Sequence, residues 1–201
     1  MNNSQRRYYA LKEMLIMIDE PNRNACLNLY DDNFRLFSSA FGSRHNHHAW
    51  EGGYHDHLQD AMNIAIGLHE FFSSLEREMD FTLSDLLLCV FLHDLEKPWK
   101  YEAGPEGKPV VCEALKPKDA QHQFRLEKAA HYGIVLTEAQ EIGIRYAEGE
   151  IGDYSGTGRK MNQLAGLVHS ADVTSARVFP GYPKEKHPWR DASRVSDTVH
   201  V

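Results

Sequence analysis

The sequence predicts a mainly α protein, a single compact helical bundle. Three observations predict it. Apolar residues recur at i, i+3, i+4 and i+7 in one segment after another, capping residues bound those segments, and no stretch alternates as a long strand. Residues 4–19 carry Tyr8, Leu11, Leu15 and Ile18 on one stripe, with Ser4 as cap and Pro21 as stop. A second helix over 23–38 carries Leu27, Tyr30, Phe34 and Phe37. Glycines and polar residues mark 42–53 as a loop. From Tyr54 to about Leu75 a long helix aligns His57, Ala61, Ile64 and Leu68.

Thr82, with Asp85 three residues on, opens a strongly apolar helix from Ser84 to Asp94. Leu83, Leu87, Val90 and Asp94 share its stripe, and His93 shares a neighbouring row with Leu86 and Cys89. Residues 98–118 hold four prolines and two glycines, a long excursion with a short hairpin around Gly104 to Val111. A helix over 119–132 follows, with His122, Leu126 and Ala129 in one row and Gly133 as its C-cap. Thr137 and Gln140 form a capping box for a helix ending near Glu148. After a glycine-rich turn, the helix over 160–178 aligns Met161, Ala165, Val168 and Asp172. Beyond Pro180 prolines and charges lose all periodicity. The expected organisation is N-terminal helices (1–42) packed on a core domain (43–179), then a loosely ordered tail (180–201).

The composition, 42% hydrophobic over 201 residues, suits one soluble domain. A net charge of −7 argues against a long nucleic-acid track but leaves room for a local basic pocket. Cys26, Cys89 and Cys112 are scattered, with no disulfide frame or zinc spacing, so a reducing cytoplasm is expected. The apolar patch 14–18 is too short to span a membrane and lacks a signal-peptide cleavage site, so no membrane association is expected. Oligomeric state is not legible. Histidine is in excess, at 12 residues.

The inner rows carry His57, His93 with Asp94, and Asp172. A buried carboxylate without a partner costs several kcal/mol. Asp94 therefore needs a buried arginine, a cap, or a metal ion. Each of these residues alone is ordinary in a core. Two imidazoles and two carboxylates together suit a divalent ion, although periodicity alone does not bring them together.

The ordered set His57, His93-Asp94, Asp172 resembles the H…HD…D signature of the HD-domain superfamily of metal-dependent phosphohydrolases. The run His47-His48-Ala49-Trp50-Glu51-Gly52-Gly53-Tyr54-His55-Asp56-His57 is similar to the HHAxxGGxxxH segment of one branch. That branch includes HD domains of bacterial 3′–5′ exoribonucleases and small nucleotide phosphohydrolases. His93 to Lys97 resembles HDxGK, with Glu96 where the family has glycine, and His169 to Asp172 resembles the late xAD element. The likeness spans about residues 47–177.

The resemblance implies an HD-domain helical bundle with one divalent ion on His57, His93, Asp94 and Asp172. Mn, Fe, Co, Ni or Zn would suit that set, and Mg is admitted. It implies attack by metal-bound water on a phosphate ester or anhydride of a nucleotide or similar small molecule. The catalytic residues implied are Asp94, Lys97 and His122. Lys97 would support substrate phosphate or the metal carboxylate, and His122 would contact phosphate or donate a proton. Arg125 either clamps a phosphate oxygen with its planar fork or forms a surface ion pair. Trp50 and Tyr54, with Trp99 and Tyr101, stack a base or close the core. Of His45, His47 and His48, one is expected to reach the site; none is read as a ligand.

Three other functions compete. An HD-type di-iron oxygenase needs a second metal site, but residues 145–148 lack histidine and only Glu148 stands in, so a mononuclear site is expected. A 3′–5′ exonuclease would want a preceding β domain or a basic, aromatic-interleaved stripe. A non-catalytic HD binding module would be expected to have lost a ligand. The expected partner is a small phosphate compound rather than a long nucleic acid.

Overall fold

The computed structural model describes residues 8–104, 109–150, 153, 156 and 158–181. Ser4 and, from 182 on, the expected tail lie outside the described residues.

The first helix, α1 (Leu11–Ile16), buries Leu11, Met14 and Leu15. The single helix expected over 23–38 is two, α2 (Asn22–Asp32) and α3 (Phe34–Ser39), divided at Asn33. The Asn33 amide donates to Leu29 O at 2.8 Å and to the Tyr132 hydroxyl at 2.9 Å. Its side chain thus takes the carbonyl that a continuing backbone would use. The long helix α4 (Gly53–Ser74) follows the 40–52 loop.

Helix α5 (Leu83–Leu92) starts on the expected capping box: Thr82 Oγ1 accepts from Asp85 N–H at 3.1 Å and Asp85 Oδ2 from Thr82 N–H at 2.8 Å. Leu86 to Leu92 are all buried, as suits a helix apolar on every side. A short α6 (Lys97–Lys100) leads into an antiparallel hairpin, β1 (Tyr101–Ala103) and β2 (Pro109–Val111), with Tyr101 opposite Val111. After a 3₁₀ turn (Glu113–Leu115), α7 (Lys118–His131) closes at Gly133, whose φ of 81° permits the left-handed C-cap. The capping box at Thr137 opens α8 (Glu138–Arg145), and Asn162 Oδ1 caps α9 (Gln163–Val173) by accepting from Ala165 N–H at 2.7 Å. A π-helical turn, Thr174–Val178, extends α9.

Helices α4, α5 and α9 pack on one another, α8 lies across α5 and α9, and α1 leans on α2, α4 and α5. The apolar centre is continuous through Tyr54, Leu58, Leu87, Val90, Ile144, Leu164 and Val168, so the fold is one mainly helical domain. Each fully buried leucine there contributes about 1.5–3 kcal/mol. The buried stripe of α7 is Gln121, Arg125 and Ala129, and His122 sits at its edge. Among the described residues no helix is long and apolar enough to cross a membrane.

Candidate metal centre

Three core helices bring their ends to one point. His57 projects from the first turns of α4, His93 caps the C-terminus of α5 with Asp94 next to it, and Asp172 is the penultimate residue of α9. The C-terminal end of α5, where His93 and Asp94 sit, carries partial negative charge that favours a cation. All four residues are buried.

His57 Nε2 lies 3.3 Å from His93 Nε2, 3.4 Å from Asp94 Oδ2 and 3.2 Å from Asp172 Oδ1. His93 Nε2 lies 3.2 Å from Asp94 Oδ2 and 3.5 Å from Asp172 Oδ1. Donors at about 2.0–2.1 Å from a common ion sit roughly 3.0–3.4 Å apart, so these separations fit a shared cation.

The proton positions fit as well. His93 Nδ1 donates to Val90 O at 2.6 Å, since a carbonyl only accepts. Ser175 Oγ donates to Asp60 Oδ2 at 2.6 Å, so its contact with His57 Nδ1 at 3.1 Å is donated by the imidazole. Both neutral rings then turn an Nε2 lone pair toward two carboxylates. Four acceptors facing one another need a positive charge between them. Neighbours that fix the far ring nitrogen in this way are the usual support of metal-bound histidine.

Lys97, buried, ion-pairs with Asp94 Oδ2. No lysine or arginine among the described residues ion-pairs with Asp172, which has only the two imidazoles. Burial would push the His93 imidazolium down, but Asp94 and Asp172 outweigh it and raise its pKa to about 10. Burial likewise opposes ionisation of Asp94, yet Lys97 and His93 hold it well below the usual carboxylate range. Without an ion, a proton on His93 thus balances the cluster. A divalent ion would take that place and release the proton.

Arg125 is a buried ion pair rather than a surface one. Its Nε and Nη2 meet the Glu96 carboxylate at 2.6 and 3.0 Å, and Nη2 is 4.0 Å from Asp94 Oδ1. Glu96 and Arg125 therefore belong together, and the fork faces Glu96. Arg125 also lines a cavity of about 400 Å³ with Lys118, His122, Arg145, Glu148 and Glu150. Lys118 pairs with Glu148, and Arg145 with Asp119 at 3.2 Å. His122 Nδ1 is buried without a hydrogen-bond partner, and burial, Arg145 and Arg125 together lower its pKa. His122 and Glu148 share this cavity but are not among the described groups close enough to hold an ion.

Tyr54 is wholly buried, edge-on to Phe37 at 5.2 Å, within the core. Trp50 is half-buried; its Nε1 donates to Asp56 Oδ2 at 2.9 Å and its ring lies 5.0 Å from that of His48. Trp99 packs on Phe37 and Phe124, with Lys128 Nζ 4.4 Å from its ring centre.

The larger difference from the sequence reading is in the 42–53 loop. Both His47 and His48, not one histidine, approach the cluster, with ring centres 4.9 and 5.0 Å from that of His57. His48 is fully buried at a φ of 47°, and Gly42 and Gly53 leave room for it: a Cβ on Gly53 would stand 1.9 Å from His48 O. Backbone strain of this kind gathers at functional sites. The paired histidines were visible in the sequence, but the left-handed turn that buries one of them was not. Ser175 and Asp60 were also missed, their only signal being a polar residue one turn from a ligand-type residue, and Glu96, noted only as a departure from the family glycine, was not read as the partner of Arg125.

Comparison of the chain with protein-family models, with curated proteins and with solved structures finds no match.

Proposed function

We propose that the chain is an HD-type metal-dependent phosphohydrolase acting on a nucleotide or a similar small phosphate compound. One observation carries this reading: two imidazoles and two carboxylates, in the order His57, His93-Asp94, Asp172, converge within ion-sharing distance. A divalent ion on these four residues would supply a water nucleophile near neutral pH and neutralise a phosphate oxygen. Lys97 holds Asp94 in place. The neighbouring cavity carries Lys118, His122, Arg125 and Arg145 on its wall, together with Asp119, Glu148, Glu150 and Asp153, so a phosphate entering it would have to draw Lys118 and Arg145 away from their acidic partners. His122, with its lowered pKa, serves as a neutral hydrogen-bond donor to phosphate. The net charge of −7 weighs against a long nucleic-acid track.

The test is turnover by metal-loaded protein on nucleoside mono-, di- and triphosphates and on a single-stranded oligomer, at low and moderate salt. Release of phosphate or pyrophosphate from small nucleotides, with shallow salt dependence, is expected. Asp94→Ala should abolish both metal binding and turnover while the helical CD signal persists. Lys97→Ala, which frees a ligand carboxylate from its partner, should lower turnover by about 10- to 100-fold. Processive degradation of the oligomer, with a log–log salt slope of roughly −0.7 per phosphate contact and small nucleotides untouched, would replace this reading with an exonuclease.

A further inference from the structure

We propose that Asp60 is a positioning residue for the ion: acting through Ser175, it keeps the His57 proton on Nδ1 and so holds the Nε2 lone pair open for metal. This rests on reading His57, His93, Asp94 and Asp172 as a metal site, and it adds two residues that the H…HD…D order does not contain.

Two pairs of residues, each about one helical turn apart, meet here. His57 and Asp60 stand on α4, and Asp172 and Ser175 on α9 and the π-helical turn that extends it. Asp172 Oδ1 lies 3.2 Å from His57 Nε2, on one side of the ring, and Ser175 Oγ lies 3.1 Å from Nδ1, on the other. Asp60 Oδ2 closes the circuit back to α4 by accepting from the Ser175 hydroxyl at 2.6 Å. His57, Asp60 and Ser175 are each 0% exposed, so bulk water does not compete for these bonds. Local π-helical turns of this kind concentrate at functional sites.

The protons in this chain have one arrangement. An ionised carboxylate only accepts, and serine has a single hydrogen to give. With that hydrogen on Asp60, the hydroxyl meets His57 as an acceptor, and the imidazole carries its proton on Nδ1. Without Asp60 the hydroxyl is free to turn and donate to Nδ1. The ring proton then moves to Nε2, where the ion would sit. His93 needs no such helper, because its Nδ1 donates to the Val90 carbonyl, which is an acceptor by nature. Ser175 alone is donor and acceptor both, and Asp60 removes the ambiguity. The cost of Asp60 supports this role. Its Oδ1 is buried without a hydrogen-bond partner, and a buried carboxylate so poorly satisfied destabilises the fold. An apolar residue would avoid that cost and leave the direction of the hydroxyl open.

Long-range ¹H–¹⁵N NMR of the whole chain in chelator reads both His57 nitrogens directly. At pH 7.5, above the Asp60 pKa of about 6, the parent protein should carry the His57 proton on Nδ1. In Asp60→Ala, checked by CD, that proton should move to Nε2, and Zn²⁺ affinity by calorimetry should fall by about 10- to 100-fold. Asp60→Asn, whose amide oxygen still accepts from Ser175, should keep Nδ1–H and an affinity close to the parent. The His93 Nδ1 proton should stay in every variant. A parent His57 protonated on Nε2, an Asp60→Ala variant that keeps Nδ1–H or the parent affinity, or an Asp60→Asn variant as weak as Asp60→Ala overturns the role of Asp60 and leaves the four-residue site standing. Zn²⁺ that moves neither His57 nor His93 in the parent protein overturns the metal site itself.

Discussion

Each ligand-type histidine has its proton placed by a neighbour, and for His57 that neighbour reaches a third residue. The chain His57 Nδ1, Ser175 Oγ, Asp60 Oδ2 is buried throughout. Asp60 Oδ1 has no partner, and burial raises the Asp60 pKa to about 6 despite the Ser175 hydrogen bond. The folded state therefore binds a proton between about pH 4 and 6 that the unfolded state does not. This contribution to stability is complete below the unfolded carboxylate pKa and is lost as pH rises through 6. Asp60→Asn, which accepts the same hydrogen bond and cannot ionise, should stabilise metal-free protein at pH 7.5 by up to about 3 kcal/mol and have little effect at about pH 3, below the unfolded carboxylate pKa. Paired urea melts at the two pH values measure the difference. A variant equally stable to its parent at both would show that Asp60 is not a strained carboxylate. The four ligand-type residues were legible in the sequence because each interrupts an apolar row. Ser175 and Asp60 were not, because a partner 115 residues away is set by packing.

At the scale of the element, apolar periodicity located the helices and polar pairing decided how some of them turn. Helix α7 carries His122, Leu126 and Ala129 in one row, yet the stripe it buries is Gln121, Arg125 and Ala129. Two hydrogen bonds from Gln121 to Leu115 O and Lys116 O, and the Arg125 fork on Glu96, satisfy polar groups that would otherwise stay in water. Hydrophobicity counting assigns such residues to the surface. The same competition broke the expected 23–38 helix at Asn33. The Glu96–Arg125 pair gives this account a measurable consequence. Breaking a buried pair from one side leaves an uncompensated charge and costs about 3–5 kcal/mol. Arg125→Met should destabilise by that amount, and Glu96→Met/Arg125→Met should recover most of it. A double-mutant cycle by urea denaturation tests this. Additive losses would mean that the two side chains do not stabilise one another.

At the scale of the whole molecule, the centre joins three helices that are far apart in sequence. His57, His93-Asp94 and Asp172 stand at the converging ends of α4, α5 and α9, the helices that make up most of the core. An ion there would tie those ends together, and nothing comparable exists in the unfolded chain. Metal binding is then linked to folding. At free ion one hundred times the dissociation constant the gain is about 2.7 kcal/mol. For a chain of this length each kcal/mol moves the melting temperature by about 2–4 °C, so roughly 5–11 °C is expected. Calorimetry in chelator and then with increasing Zn²⁺ should show this rise, growing with the logarithm of free ion. Asp94→Ala should show none, while Arg145→Ala, on the cavity wall away from the four ligands, should keep it in full. A melting temperature indifferent to chelator and to Zn²⁺ would mean that Lys97 and a proton on His93 balance these carboxylates unaided, and that the cluster is a buried ionic network of the core.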